Sequence, residues 1–139
     1  MSSSQLKGQF EVDSPTKLVE IRKFIEESAD KLGADQEKTQ DLILAVNEAV
    51  TNIYIHGFEK VACKVDVSVS FSDGALTVIT HDNGPEFDPT RVDLPDTTAS
   101  LEKRRPGGLG ILMIRKYTDQ FLYQRTPEHK NELVFKISA

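Results

Sequence analysis

Residues 35–57, DQEKTQDLILAVNEAVTNIYIHG, carry the pattern on which the fold turns. Asp35 is a good N-cap residue, Gly57 a good stop, and the stretch between them reads as one long helix. At about 100° per residue, Leu42, Ile43, Val46, Ala49, Val50 and Ile53 gather on one side. Glu48 and Asn52 fall together on the other side, stacked one turn apart. Leu44 and Ile55 flank them where a solvent-facing surface would carry charge. Taken alone the pair reads as ordinary surface residues. Between apolar flanks, however, the strip is narrow enough to line a cavity. There a carboxylate and an amide oxygen could serve a magnesium ion, which takes few protein ligands beside phosphate oxygens. Either group could also orient or deprotonate a hydroxyl nucleophile.

Working outward from this helix, Ser14-Pro15 reads as an N-cap and first-turn pair for an earlier one. Leu18, Ile21, Ile25, Ala29 and Leu32 recur at helical spacing, and Gly33 stands where a left-handed C-terminal residue is wanted. Residues 8–13, GQFEVD, read as a short strand before it. Downstream, CKVDVSVSF (63–71) alternates strictly, turns at Ser72-Asp73-Gly74 and returns as ALTVITH (75–81), predicting two antiparallel strands. Helical spacing resumes in GLGILMIRKY (108–117), with Leu109, Leu112 and Met113 or Ile114 available for burial, and QFLYQR and ELVFKIS read as two closing strands. The predicted order is strand, helix, helix, strand, strand, long loop, helix, strand, strand. Its natural packing is α+β: a two-layer α/β sandwich with a mixed, largely antiparallel sheet covered on one face by helices.

Two further stretches break ordinary rules. Asp82-Asn83-Gly84 contains the Asn-Gly hairpin signal, yet Pro85 and a long loop follow instead of a returning strand. An Asp at a strand end can hold a donor on a planar ligand such as a purine amino group, and Gly84 permits close backbone approach. The loop then ends in Arg104-Arg105-Pro106-Gly107-Gly108-Leu109-Gly110. Glycine-rich backbone entering a helix N-terminus offers amide donors to phosphate, and the arginines add charge-assisted donors. The plainer reading is a flexible basic linker. It is neither a Walker loop nor a dinucleotide fingerprint.

The bulk properties agree with a small intracellular domain. At 139 residues the chain suits a single domain, residues 1–139. A net charge of −5 disfavours direct binding to nucleic acid or an anionic membrane. The lone cysteine, Cys63, excludes an internal disulfide, and MSSSQLKGQF lacks the apolar core of a signal peptide, so a cytoplasmic location is expected. No apolar run approaches the roughly 20 residues needed to span a bilayer.

A helix with Glu and Asn four apart, then Asp-x-Gly after a strand, then a Gly-x-Gly segment before a helix resembles, in that order, the Bergerat-type ATP-binding fold. Gyrase, the Hsp90 chaperone, histidine kinases and the MutL repair protein share it. LILAVNEAVTNIYIHGFE, HDNGPEFDP and RRPGGLGILMIRKYTD look especially like the anti-sigma factor serine/threonine kinases. The resemblance implies ATP and Mg2+ as ligands, Glu48 as general base or orienter of the nucleophile, and Asn52 as the magnesium ligand. It implies Asp82 on the adenine amino group with Gly84 beside it, and an ATP lid at about 85–108. Gly108 and Gly110 match the lid glycines, extended by Gly107 and Leu109. Arg105 is the implied charge partner in the transition state, ahead of Arg104, while His56 reads as a packed or C-terminal-turn histidine.

The same resemblance implies a partner-switching kinase that phosphorylates an anti-sigma factor antagonist, with a sigma factor as second partner, as a homodimer. One departure stands out: many relatives carry Gly-Thr before the last strand, whereas this chain has Lys130-Asn131-Glu132, leaving the roles of Thr80 and Asn131 open. Two other function classes compete with the kinase. One is an ATP-binding module that sequesters a partner without phosphoryl transfer. The other is a scaffold with no nucleotide.

Overall fold

A computed structural model describes residues 5–14, 16–54, 63–88 and 114–138. Its elements run β1 (Gln5–Val12), α1 (Lys17–Leu32), α2 (Gln36–Asn52), β2 (Cys63–Ser72), β3 (Ala75–Asp82), β4 (Gln120–Arg125) and β5 (Asn131–Ser138). A helical turn at 114–117 precedes β4. The strands form one five-stranded sheet in the order β1-β2-β3-β5-β4. Every pairing is antiparallel, the limit of the largely antiparallel sheet expected from the sequence.

Local chemistry accounts for most boundaries. The β2–β3 hairpin turns on Asp73 and Gly74, both at positive φ (55° and 75°), the pair of left-handed residues that matches strand twist in a two-residue turn. Gly33 closes α1 at φ 88°, its N–H reaching the carbonyls of Ala29 and Asp30. Asp35 caps α2, its carboxylate accepting from the Lys38 N–H at 3.0 Å. Asp35→Ala is expected to cost about 1 kcal/mol, the usual value of such a cap, read as a lower denaturant midpoint at unchanged slope.

Two boundaries depart from expectation. α1 starts at Lys17 with Thr16 at its cap, and no side-chain cap bond forms there. Ser14 instead hydrogen-bonds the Thr16 hydroxyl (2.7 Å), while its carbonyl accepts from Lys17 N, so it opens a turn ahead of the helix. α2 ends at Asn52, and the expected stop at Gly57, with Ile55 and His56, lies outside the described residues.

Alternation then divides the sheet into two faces. Val65, Val67, Val69, Leu76, Val78, Leu133, Phe135 and Ile137 are buried and join Ile21, Ile25, Ala29, Leu42, Val46, Ala49 and Val50 in one core. The intervening residues face the other side, where Leu122 is more than half exposed. α1 packs on β1, β2 and α2, and α2 packs on β5. The architecture is therefore α+β, with both helices over one face of an antiparallel sheet. Among the described residues no helix is long and apolar enough to cross a membrane.

Candidate functional site

Strand register carries the apolar core into a polar end. The inward residues of β3 are Leu76, Val78, Thr80 and Asp82, all buried, so alternation turns from hydrocarbon to hydroxyl to carboxylate along one face. Asp82 pairs with Asn131 in β5, and Asn131 with Arg125 in β4, which sets three polar side chains in one row across the sheet. Asp82 and Asn131 are each 2% exposed.

Asn131 ties this row together. Its Nδ2 donates to Asp82 Oδ1 (2.8 Å) and to the Pro85 carbonyl (2.8 Å). Its Oδ1 accepts from Tyr123 Oη (2.7 Å), Arg125 Nη1 (3.1 Å) and the Phe87 N–H (3.3 Å). Arg125 Nη1 also donates to the Gly84 carbonyl at 2.9 Å, and the Gly84 N–H returns to Asp82 Oδ1 at 3.0 Å. The chain leaving β3 is thereby fastened at Gly84, Pro85 and Phe87. Among the described residues no strand returns from this turn, and β3 is paired on its two edges with β2 and β5, so the Asn83-Gly84 pair is not a hairpin turn.

Electrostatics follow from this burial. Desolvation pushes the Asp82 carboxyl above its ordinary value, against opposing pulls from the Asn131 and Gly84 hydrogen bonds and from the charges of Arg125 and His81. Burial, and next the Glu86 carboxylate, push the Tyr123 phenol up, which keeps it a protonated donor toward Asn131. Both donors to Asp82 meet Oδ1, and among the described residues none reaches Oδ2.

The helix layer supplies the remaining groups. Glu48 is half-buried on α2 and Asn52 is 5% exposed one turn later, while the flanking Leu44 is exposed rather than part of a cavity wall. Among the described residues, Asn52 Nδ2 and Thr80 Oγ1 are buried atoms with no hydrogen-bond partner. Unpaired buried polar atoms each cost about 1–3 kcal/mol, so a fold retaining two of them is suited to a polar ligand. An amide donor without a partner fits a phosphate oxygen, and the same amide's carbonyl oxygen is a hard ligand that fits magnesium.

Of the residues singled out from the sequence, the structure joins Asp82 and Gly84 directly and buries Asn52 beneath the helix layer. Arg104, Arg105, Gly107, Gly108, Leu109 and Gly110 lie outside the described residues, as does most of the expected lid. Tyr123 and Arg125 were not anticipated. Their signal was present in QFLYQR, where Phe121, Tyr123 and Arg125 share one face and an arginine follows two aromatics inward. A cleft lined by Lys7, Gln9, Asp66, Ile79 and His81 lies on the opposite face of the sheet and shares no side chain with the polar row.

Comparison with known proteins agrees with this fold. The anti-sigma F factor of Clostridium botulinum (strain Eklund 17B / Type B) is 31% identical over 97 residues, 66% of this chain and 65% of that protein. The serine/threonine-protein kinase BtrW of Bordetella bronchiseptica is 29% identical over 85 residues, 60% of each chain. The chain thus spans just under two thirds of the length of these relatives. Among solved structures, the RsbU and RsbW domains of Rv1364c from Mycobacterium tuberculosis share the fold at TM-score 0.62 and 15% identity, covering 96% of this chain and 32% of that one. The SiaB-SiaC complex from Pseudomonas aeruginosa gives 0.53 at 15% identity, with 95% and 88% coverage. The profile of the histidine kinase-like ATPase domain matches residues 12–137, nearly the whole chain, and the protein belongs to that family.

Proposed function

We propose that this chain binds Mg-ATP and transfers the γ-phosphoryl group to a serine or threonine of a partner protein, as a partner-switching regulator of the anti-sigma type. The observation that carries the reading is the Asp82 carboxylate, buried at a strand end with Oδ1 fixed by two donors and Oδ2 met by none among the described residues. An acceptor so fixed suits the exocyclic amino group of adenine. The unpartnered Asn52 amide supports a triphosphate with its magnesium on the same face. Relatives named as anti-sigma F factor and serine/threonine-protein kinase support both the transfer and an anti-sigma antagonist as acceptor.

In this reading Asp82 selects the base, with Gly84 allowing the backbone to approach it. Asn52 holds the magnesium, which neutralises charge on the phosphates when bound. Glu48, half-buried one turn before Asn52, accepts the hydroxyl proton of the incoming serine or orients that hydroxyl. Arg105 and the Gly107, Gly108, Leu109 and Gly110 backbone would cover the phosphates. A sigma factor as second partner, a homodimer and a cytoplasmic location belong to the same proposal.

The test is direct. Mg-ATP at about 100 times its dissociation constant is expected to add about 2.7 kcal/mol, several degrees of Tm, to the wild-type protein. Labelled γ-phosphate should then appear on a small antagonist protein carrying the target serine. No thermal shift at millimolar Mg-ATP would overturn nucleotide binding. A shift without transfer would leave an ATP-dependent sequestering module.

A further inference from the structure

We propose that Asn131, braced by Tyr123 and Arg125, is a positioning residue that fixes which oxygen of Asp82 meets a ligand and so sets a preference for 6-amino purines over 6-oxo purines. The inference rests on the adenine reading of the site and goes further, assigning base selectivity to side chains that never touch the base.

The argument is one of counted donors. A carboxylate rotating freely offers two equivalent oxygens, and water can take either. Here Oδ1 is occupied by the Asn131 amide at 2.8 Å and the Gly84 N–H at 3.0 Å, which stops that rotation and, among the described residues, leaves Oδ2 as the oxygen without a donor. Asn131 can hold this pose because its own orientation is fixed. Tyr123 and Arg125 both donate to its Oδ1, so the amide nitrogen must face Asp82 and Pro85. A flipped amide would set its NH2 against three donors, Tyr123, Arg125 and the Phe87 N–H, and its oxygen against the carboxylate. The order of side chains from β4 through β5 to β3 is thus a relay that ends at one acceptor.

A single fixed acceptor rewards a ligand that donates to it and repels one that presents a carbonyl oxygen there. Adenine offers an amino group at that position, while hypoxanthine offers an oxygen. Sites built on fixed polar partners discriminate more strongly than apolar ones, because the wrong ligand leaves a buried group unpaired.

The experiment is titration calorimetry of Mg-ATP and Mg-ITP against the full chain, its Asn131→Leu and Tyr123→Phe variants, and Asp82→Asn as a control. Asn131→Leu keeps the volume and removes the relay, and ATP affinity should fall roughly tenfold or more while ITP affinity changes little. Tyr123→Phe keeps the ring and deletes one donor, so the ATP/ITP ratio should fall less, by about threefold. If Asn131→Leu does not fold, Tyr123→Phe decides alone. An unchanged ATP/ITP ratio in a folded variant, or equal losses for both nucleotides, overturns the positioning role. If wild type binds neither nucleotide, or Asp82→Asn binds ATP as well as wild type does, the adenine reading itself falls, and the relay with it.

Discussion

Asp82→Asn is expected to abolish the Mg-ATP thermal shift while leaving the unliganded protein as stable as the wild type, or more so, at neutral pH. The two halves of this result have separate causes. In the variant, an amide oxygen can still accept from Asn131 and Gly84, so the contacts at 2.8 and 3.0 Å survive. The atom facing the ligand becomes NH2, which meets the adenine amino group donor to donor, and affinity should fall on the order of a hundredfold or more.

Stability moves the other way because burial holds the Asp82 carboxyl above its ordinary value. Between that ordinary value and the raised one, the unfolded chain has released a proton that the folded chain retains. The folded state binds more protons there, so wild-type stability declines as pH rises through the window, and the penalty is constant above it. Asparagine has no such term. The Tm of the variant relative to wild type should therefore be lowest below about pH 3, where Asp82 is protonated in both states, and should increase toward neutrality. Thermal melts from acid to neutral pH, with and without Mg-ATP, check both halves. A variant that melts far below wild type at neutral pH would make Asp82 a structural anchor instead of a ligand group.

How much of this was legible in the sequence depends on the range of each signal. The β2–β3 hairpin, the Gly33 stop and the Asp35 cap are settled within a few residues, and each stands where the local pattern puts it. β1 was foreseen only as residues 8–13, whereas it runs Gln5–Val12. An edge strand whose outward positions are Gln5, Lys7, Gln9 and Glu11 has little apolar contrast at its start, and its extent is fixed by pairing with β2 more than fifty residues away. The polar row is less legible still. Asp82 shows itself because it breaks an apolar strand, but Asn131 and Arg125 gain meaning only when β3, β5 and β4 are set in register. Lys130-Asn131-Glu132 looked like a departure from a family pattern. In the fold, its Asn131 is the side chain that fixes Asp82, and its Glu132 faces the other side and pairs with His81 at 2.8 Å.

On α2, Glu48→Gln and Asn52→Leu should fail in different ways, although they sit one turn apart. Glutamine matches glutamate in size but cannot take a proton, so Glu48→Gln is expected to bind Mg-ATP within about twofold of wild type and to transfer phosphate roughly 10²–10⁴ times more slowly, the span of general-base catalysis. Asn52→Leu removes a buried amide whose Nδ2 has no partner, which relieves an unsatisfied donor. Its unliganded Tm should hold or rise, while the magnesium-dependent part of ATP binding is lost and with it the transfer. The check is ATP affinity with Mg2+ and with EDTA, alongside labelled-phosphate transfer, for wild type and both variants. If Glu48→Gln retained full transfer, the helix carboxylate would have no part in the chemistry. If Asn52→Leu kept the magnesium dependence, the cation would have to be held elsewhere, and the buried amide would be a packing feature of α2.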